Sequence, residues 1–263
     1  MNDKMFFGNK VLELKRPAFV MGIVNATPDS FYKSSRGGID LALRLIDEGA
    51  DILDIGGEST RPGFTEISEE EEITRIVPLI QKIRQFNDKI PISVDTRKMA
   101  VMKAAYENGA DVLNDVSALE FDSKMAGFIS STELSVILMF WKAGGIKEAK
   151  KYLKQRVLFA KKSGVKKEKI ILDPGIGFEK SFEQNCQLIK NCGDLAFGGI
   201  PVLMALSNKR CIGTMINENE ESSKRGFGTL AANLFAVESG AKIIRVHDVK
   251  SAIDSLNVMK FLK

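Results

Sequence analysis

The chain has 263 residues, 44% of them hydrophobic and 27% charged, a composition of globular proteins that excludes disordered and collagen-like chains. Its net charge of +4 is too slight to call for nucleic acid, though it suits a small ligand with several negative charges. The longest uncharged apolar stretch, Leu195 to Leu206, is too short to span a bilayer and contains Gly198, Gly199 and Pro201, so no membrane partner is expected. Charges at Asp3, Lys4, Lys10, Glu13, Lys15 and Arg16 leave no room for a secretory apolar core, and a cytoplasmic protein is expected. Cys186, Cys192 and Cys211 lack CxxC spacing and read as reduced thiols.

In chain order, residues 1–16 read as an N-terminal strand or hairpin, and residues 17–263 as a single domain. Short apolar runs then alternate with longer amphipathic segments, the pattern of repeated βα units with a parallel sheet. Strands are predicted at 17–24, 51–57, 90–95, 111–115, 134–140, 169–173, 200–206 and 242–247. Eight strands spaced about 32 residues apart predict an α/β fold of the (β/α)₈ TIM-barrel type. Between them, Ile73, Ile76, Val77, Ile80 and Ile83 mark one helical face and Ala149, Tyr152, Leu153, Val157 and Ala160 another. Ser68 with Glu71 reads as a capping box, and Pro78 predicts a kink or break in that helix. The four glutamates at 69–72 read as charge favoured by the helix dipole, without a function. Gly49, Gly109 and Gly240 fall where helices should stop.

In such a barrel the chemistry lies at the C-terminal strand ends. Those ends read Asn25, Asp54, Asp95, Asn114 with Asp115, Met139, Asp173, Ser207 with Lys209, and Arg245 with His247. Polar groups ending apolar strands are costly to bury unless hydrogen-bonded, so their convergence predicts a polar ligand. Asp95, Asn114 and Asp173 suit the edge of a flat heterocycle with adjacent N–H donors, because a carboxylate accepts two bonds side by side. Arg61, Arg245 and His247 are donors suited to an anion, and Arg245 and His247, two apart on one strand, point to the same side. Mg²⁺ could complete a phosphate grip, with Asn25 supplying an oxygen. Phe140 and Trp141 read as core or pocket wall.

The strings MGIVNATPDSF (21–31), DILDIGGESTRPG (51–63), ISVDT (92–96), ILDPGIGF (171–178), PVLMALSNKRCIG (201–213) and IIRVHDV (243–249) cover nearly the whole chain. In them the sequence resembles the dihydropteroate synthases, a family of pterin-binding (β/α)₈ barrels. The resemblance implies a transferase of folate biosynthesis that joins 6-hydroxymethyl-7,8-dihydropterin diphosphate to p-aminobenzoate, with Mg²⁺ as cofactor and a homodimer as assembly. It implies that Thr60, Asp95, Asn114, Met139, Asp173, Lys209, Arg245 and His247 bind the pterin diphosphate, and that Asn25 binds the metal. Thr60, Arg61, Pro62, Phe178 and Lys209 would bind p-aminobenzoate, and Asp95, Asp173, Arg61 and Lys209 would act in catalysis. Departures from the family pattern at 32–35, 140 and 208–210 gather at the aminobenzoate end. The pattern leaves two alternatives open: a methyltetrahydrofolate-dependent methyltransferase on the same kind of barrel, and a catalytically silent pterin-binding paralogue.

Overall fold

The computed structural model describes residues 4–26, 37–58 and 66–262. A hairpin of β1 (Lys4–Phe7) and β2 (Lys10–Glu13) precedes the barrel strands, as the sequence predicts. These strands are β3 (Phe19–Asn25), β4 (Ile52–Gly56), β5 (Ile92–Asp95), β6 (Val112–Asp115), β7 (Ser135–Met139), β8 (Ile170–Asp173), β9 (Leu203–Met204) and β10 (Ile243–Val246). They pair in parallel in the order β8-β7-β6-β5-β4-β3-β10-β9. A parallel bridge between Leu172 and Val202, with the Leu172 amide donating to the Pro201 carbonyl at 2.9 Å, closes β9 onto β8. The result is a (β/α)₈ barrel.

Around the cylinder lie α1 (Gly37–Asp47), α2 (Glu69–Phe86), α3 (Met99–Glu107), α4 (Met125–Ser130), α5 (Ile146–Lys162), α6 (Phe182–Lys190), α7 (Arg210–Met215), α8 (Gly226–Glu238) and α9 (Val249–Leu262). Outward-facing strand residues such as Val24, Ile55 and Val94 pack against helix residues such as Ile76 and Ile80. Inward-facing Phe19, Met21, Ile52, Val112, Ile137 and Ile243 fill the lumen, where Met5 and Phe7 of the hairpin join them. Phe7 is fully buried, worth about 2–3 kcal/mol, so the hairpin plugs the N-terminal end and leaves the opposite mouth for a ligand.

The helix ends agree with the sequence in most places. Gly49, Gly109 and Gly240 follow α1, α3 and α8 at φ +98°, +103° and +112°, a region that glycine reaches without steric cost. Four details differ. Ser68 caps α2 by accepting the Glu71 amide at 3.1 Å, while the Glu71 carboxylate turns to Arg75, so only half of the expected capping box forms. Pro78 marks no break: α2 runs continuously through it, held by Ile76, Leu79, Ile80 and Ile83 on the core. Glu72, one of the four glutamates read as dipole-favoured charge, turns inward, is 1% exposed and accepts from Lys98 at 2.9 Å. The strand expected over 200–206 shrinks to two residues, because Pro201 has no N–H to donate and the segment lies at the seam.

Candidate active site

Register places the polar strand ends on a common level. Asn25 pairs with Gly56, Gly56 with Asp95, and Asp95 with Asn114, while Met139 pairs with Asp173. Asp54 lies two residues before Gly56, on the same inward-facing side and one step deeper. A carboxylate buried in that position is costly without a partner, and Asp54 is 0% exposed. Its counter-ion is Arg245, which donates from both Nε and a terminal nitrogen to Asp54 Oδ2 at 2.6 Å. The same guanidinium reaches Asp95 Oδ2 at 3.2 Å, and the Asn114 amide donates to both Asp54 oxygens at 3.3 and 3.2 Å.

These contacts leave one acceptor without a partner. Asp95 is 8% exposed, and its Oδ1 is buried with no hydrogen bond among the described residues. Burial, reinforced by the neighbouring Asp54 and opposed by Arg245, pushes the Asp95 carboxyl up to about 7. Burial also works against the Arg245 charge, but Asp54, Asp95 and Asp173 outweigh it and raise its pKa. Across the lumen, Asp173 is 4% exposed and its Oδ1 accepts the Gly175 amide at 2.7 Å. Burial raises its pKa despite that bond and the nearby Lys209. Lys209 is shifted down by burial, with Asp173 opposing. A charge-poor enclosure thus surrounds charged groups, a setting in which a complementary ligand gains most.

Lys209 caps the start of α7, and its Nζ lies 4.7 Å from the centroid of the Phe178 ring. Phe178 sits in the turn after β8, where Gly175 takes φ +67° and a Cβ would fall 2.1 Å from the Phe140 carbonyl oxygen, so only glycine fits. A cavity of about 400 Å³ adjoins this turn, lined in part by Asp95, Val116, Phe121, Trp141 and Phe178. Phe140 itself is core, 2% exposed. His247 is exposed at the rim, its Nδ1 2.8 Å from Ser207 Oγ. Asn25 is exposed at the end of β3.

The structure therefore gathers Asp95, Asn114, Met139, Asp173, Phe178, Lys209, Arg245 and His247 around one mouth. Thr60, Arg61 and Pro62 lie outside the described residues, as do the departures at 32–35. Arg245, expected with His247 as an anion donor, is in addition bound into the acid cluster, because buried Asp54 requires a positive partner. Two contributors had no role assigned from sequence. Asp54 was visible as the second acid of the otherwise apolar run DILDIGG. Lys180 donates to the carbonyls of Phe140 at 2.8 Å and Phe178 at 3.0 Å, and burial lowers its pKa to about 8.

A closed barrel with paired carboxylates and cations converging at its C-terminal mouth defines a (β/α)₈ enzyme with a site for a flat, nitrogen-rich ligand. The family model described as pterin binding enzyme matches residues 21–247. A dihydropteroate synthase of Clostridium beijerinckii is 40% identical over 256 residues, covering 93% of this chain and 94% of the relative. The structure of a Xanthomonas albilineans dihydropteroate synthase with 4-aminobenzoic acid superposes with a TM-score of 0.92 at 38% identity, covering 100% of this chain and 98% of that one. A structure of the Xanthomonas albilineans enzyme in complex with 7,8-dihydropteroate gives 0.89 at 35% identity, with 99% and 98% coverage. The chain belongs to the pterin-binding enzyme family.

Proposed function

We propose that the chain condenses 6-hydroxymethyl-7,8-dihydropterin diphosphate with p-aminobenzoate to give 7,8-dihydropteroate and pyrophosphate in folate biosynthesis. The observation that carries this reading is the buried, unpartnered Oδ1 of Asp95, held beside Arg245 and opposite the buried carboxylate of Asp173. Two carboxylates across a narrow lumen match a ring that presents N–H donors on its edge. The relatives at 38–40% identity carry the same activity in their names, which supports the reading.

The chemistry follows from charge. The C–O bond between the pterin methylene and the diphosphate breaks with its electron pair leaving on pyrophosphate, and the methylene becomes cationic in conjugation with the ring. Asp95, Asp173 and Asp54 supply negative charge around that ring and favour the cation. Arg245, paired with the acids, orients them and, with His247 and Arg61, serves the diphosphate. The aminobenzoate nitrogen then forms the C–N bond with its lone pair and releases its proton to solvent. An arylamine is neutral at pH 7, so no strong general base is required. Thr60, Arg61, Pro62, Phe178 and Lys209 form the arylamine end.

Asn25, an exposed amide at the end of β3, offers one hard oxygen, the sparse donor set that Mg²⁺ accepts when phosphate oxygens and water complete its shell. Bound there, Mg²⁺ would neutralise charge on the leaving group. A homodimer belongs to the same proposal. Phe227, Ala231 and Phe235 share one exposed face of α8, with Phe227 90% and Phe235 51% exposed, an apolar stripe suited to a second copy. The cytoplasmic assignment is supported by three free cysteines. Among the described residues no helix is long and apolar enough to cross a membrane. Pyrophosphate release measured with both substrates tests the activity: release that depends on p-aminobenzoate is expected, and none above a no-enzyme control contradicts it.

A further inference from the structure

Lys180 has no substrate-contacting role in the proposed chemistry, yet its position ties two loops of the mouth together. Its ammonium donates to the carbonyl of Phe140, just after β7, and to that of Phe178, in the turn after β8. It also lies 4.5 Å from the centroid of the Phe140 ring. The turn it holds is strained: Glu179, immediately before it, takes φ +45°, a left-handed conformation uncommon for a residue with a side chain. Asn185 of α6, 3% exposed, fastens the other side of the turn by accepting the Gly177 amide at 2.7 Å and donating to the Ser181 carbonyl at 2.8 Å. Phe178 carries the consequence, because Lys209 rests over its ring and a Cβ on Gly177 would come within 3.2 Å of Lys209 Cδ.

We propose that Lys180 is a positioning residue for the arylamine step: by joining the Phe140 and Phe178 carbonyls it fixes the Phe178 ring and, through that ring, Lys209. The proposal rests on the reading that Phe178 and Lys209 form the arylamine end. Removing the ammonium leaves two carbonyls without their donor and a left-handed turn with one fastener fewer. The Phe178 ring then samples more positions, and misplacement of about 1 Å is enough to cost a bound reactant its productive geometry. Of the pterin groups, Asp54, Asp95, Asn114 and Arg245 are bonded to one another without Lys180, and Asp173 is reached by its charge, which Lys180→Arg keeps.

Lys180→Met, Lys180→Arg and Phe178→Ala, together with the Phe178→Ala/Lys180→Met double variant, test this in pyrophosphate-release kinetics and in calorimetry with pterin diphosphate. Lys180→Met should raise KM for p-aminobenzoate by about tenfold, with pterin diphosphate Kd held within about threefold. Lys180→Arg, which keeps the two donors, should recover most of the loss, and the double variant should be no worse than Phe178→Ala alone. Lys180→Gln, able to serve one carbonyl, should give an intermediate rise and stands in if the Met variant does not fold. A normal arylamine KM in Lys180→Met beside a raised one in Phe178→Ala would overturn the inference alone. Normal values in both would overturn it together with the arylamine placement. Equal losses in arylamine KM and pterin Kd would show a general structural role and overturn it as well.

Discussion

The two ends of the barrel use the same residue types to opposite effect. At the plugged end, Asp111 has both oxygens engaged: Oδ1 accepts from Lys10, and Oδ2 accepts from Arg84 at 2.7 Å and from the Ile92 amide at 2.9 Å. Asp51 likewise accepts from Arg16 at 2.6 Å and the Val20 amide at 2.7 Å, and Ser135 links the hairpin through Gly8 and Phe6. At the open end, Asp95 keeps a buried oxygen unpartnered and Lys209 loses proton affinity to burial. Carboxylates that leave no buried oxygen unpartnered hold the fold at one end, although the Arg16 Nε there lacks a partner among the described residues. Incomplete pairs at the other leave interaction energy for a ligand to collect.

Substitutions at the two ends should separate accordingly. Arg245→Met strands the Asp54 charge at zero exposure, and breaking a buried pair of this kind costs about 3–5 kcal/mol, read as a lower urea midpoint, with catalysis lost as well. Adding Asp54→Asn to that variant should recover part of the stability, since no charge is then left buried. Asp173→Asn trades one acceptor oxygen for a donor, and calorimetry should show pterin diphosphate affinity lower by about 2 kcal/mol, roughly thirtyfold, with little change in melting. Lys10→Met at the plugged end should do the reverse. It should cost about 1 kcal/mol of stability, because the pair with Asp111 is partly exposed, and leave kcat and both KM values unchanged. A fall in kcat for Lys10→Met would erase the distinction between the ends.

Most of the barrel is legible in the sequence because each strand is an apolar run bounded by helical periods, and the observed strands fall inside the predicted ranges except for Asn25, one residue beyond the first. The seam is the exception, since Pro201 weakens pairing there and the predicted run keeps only two strand residues and a single bridge to Leu172. At the candidate site, strand-end position alone brings Asp95, Asn114 and Asp173 to the mouth. The partnership of Asp54 with Arg245 is not legible, because the two are 191 residues apart and nothing local distinguishes a paired acid from a ligand-binding one. Lys180 is hidden for a different reason: its partners are backbone carbonyls, which leave no mark on side-chain identity. Glu72 shows the limit of reading charge runs, since one of four adjacent glutamates turns inward to meet Lys98.

The most direct measurement is the pH dependence of binding for 6-hydroxymethyl-7,8-dihydropterin, which lacks the titrating phosphates, in the native protein and in Asp95→Asn. With the Asp95 carboxyl pushed up to about 7, ionised Asp95 accepts the ring above that pH. Below it a proton must first be displaced, at about 1.4 kcal/mol per pH unit. Affinity should therefore be flat above about pH 7 and fall up to tenfold per unit below it, and Asp95→Asn should bind weakly and lose this slope. Affinity independent of pH in the native protein, or undiminished binding by Asp95→Asn, would contradict the account.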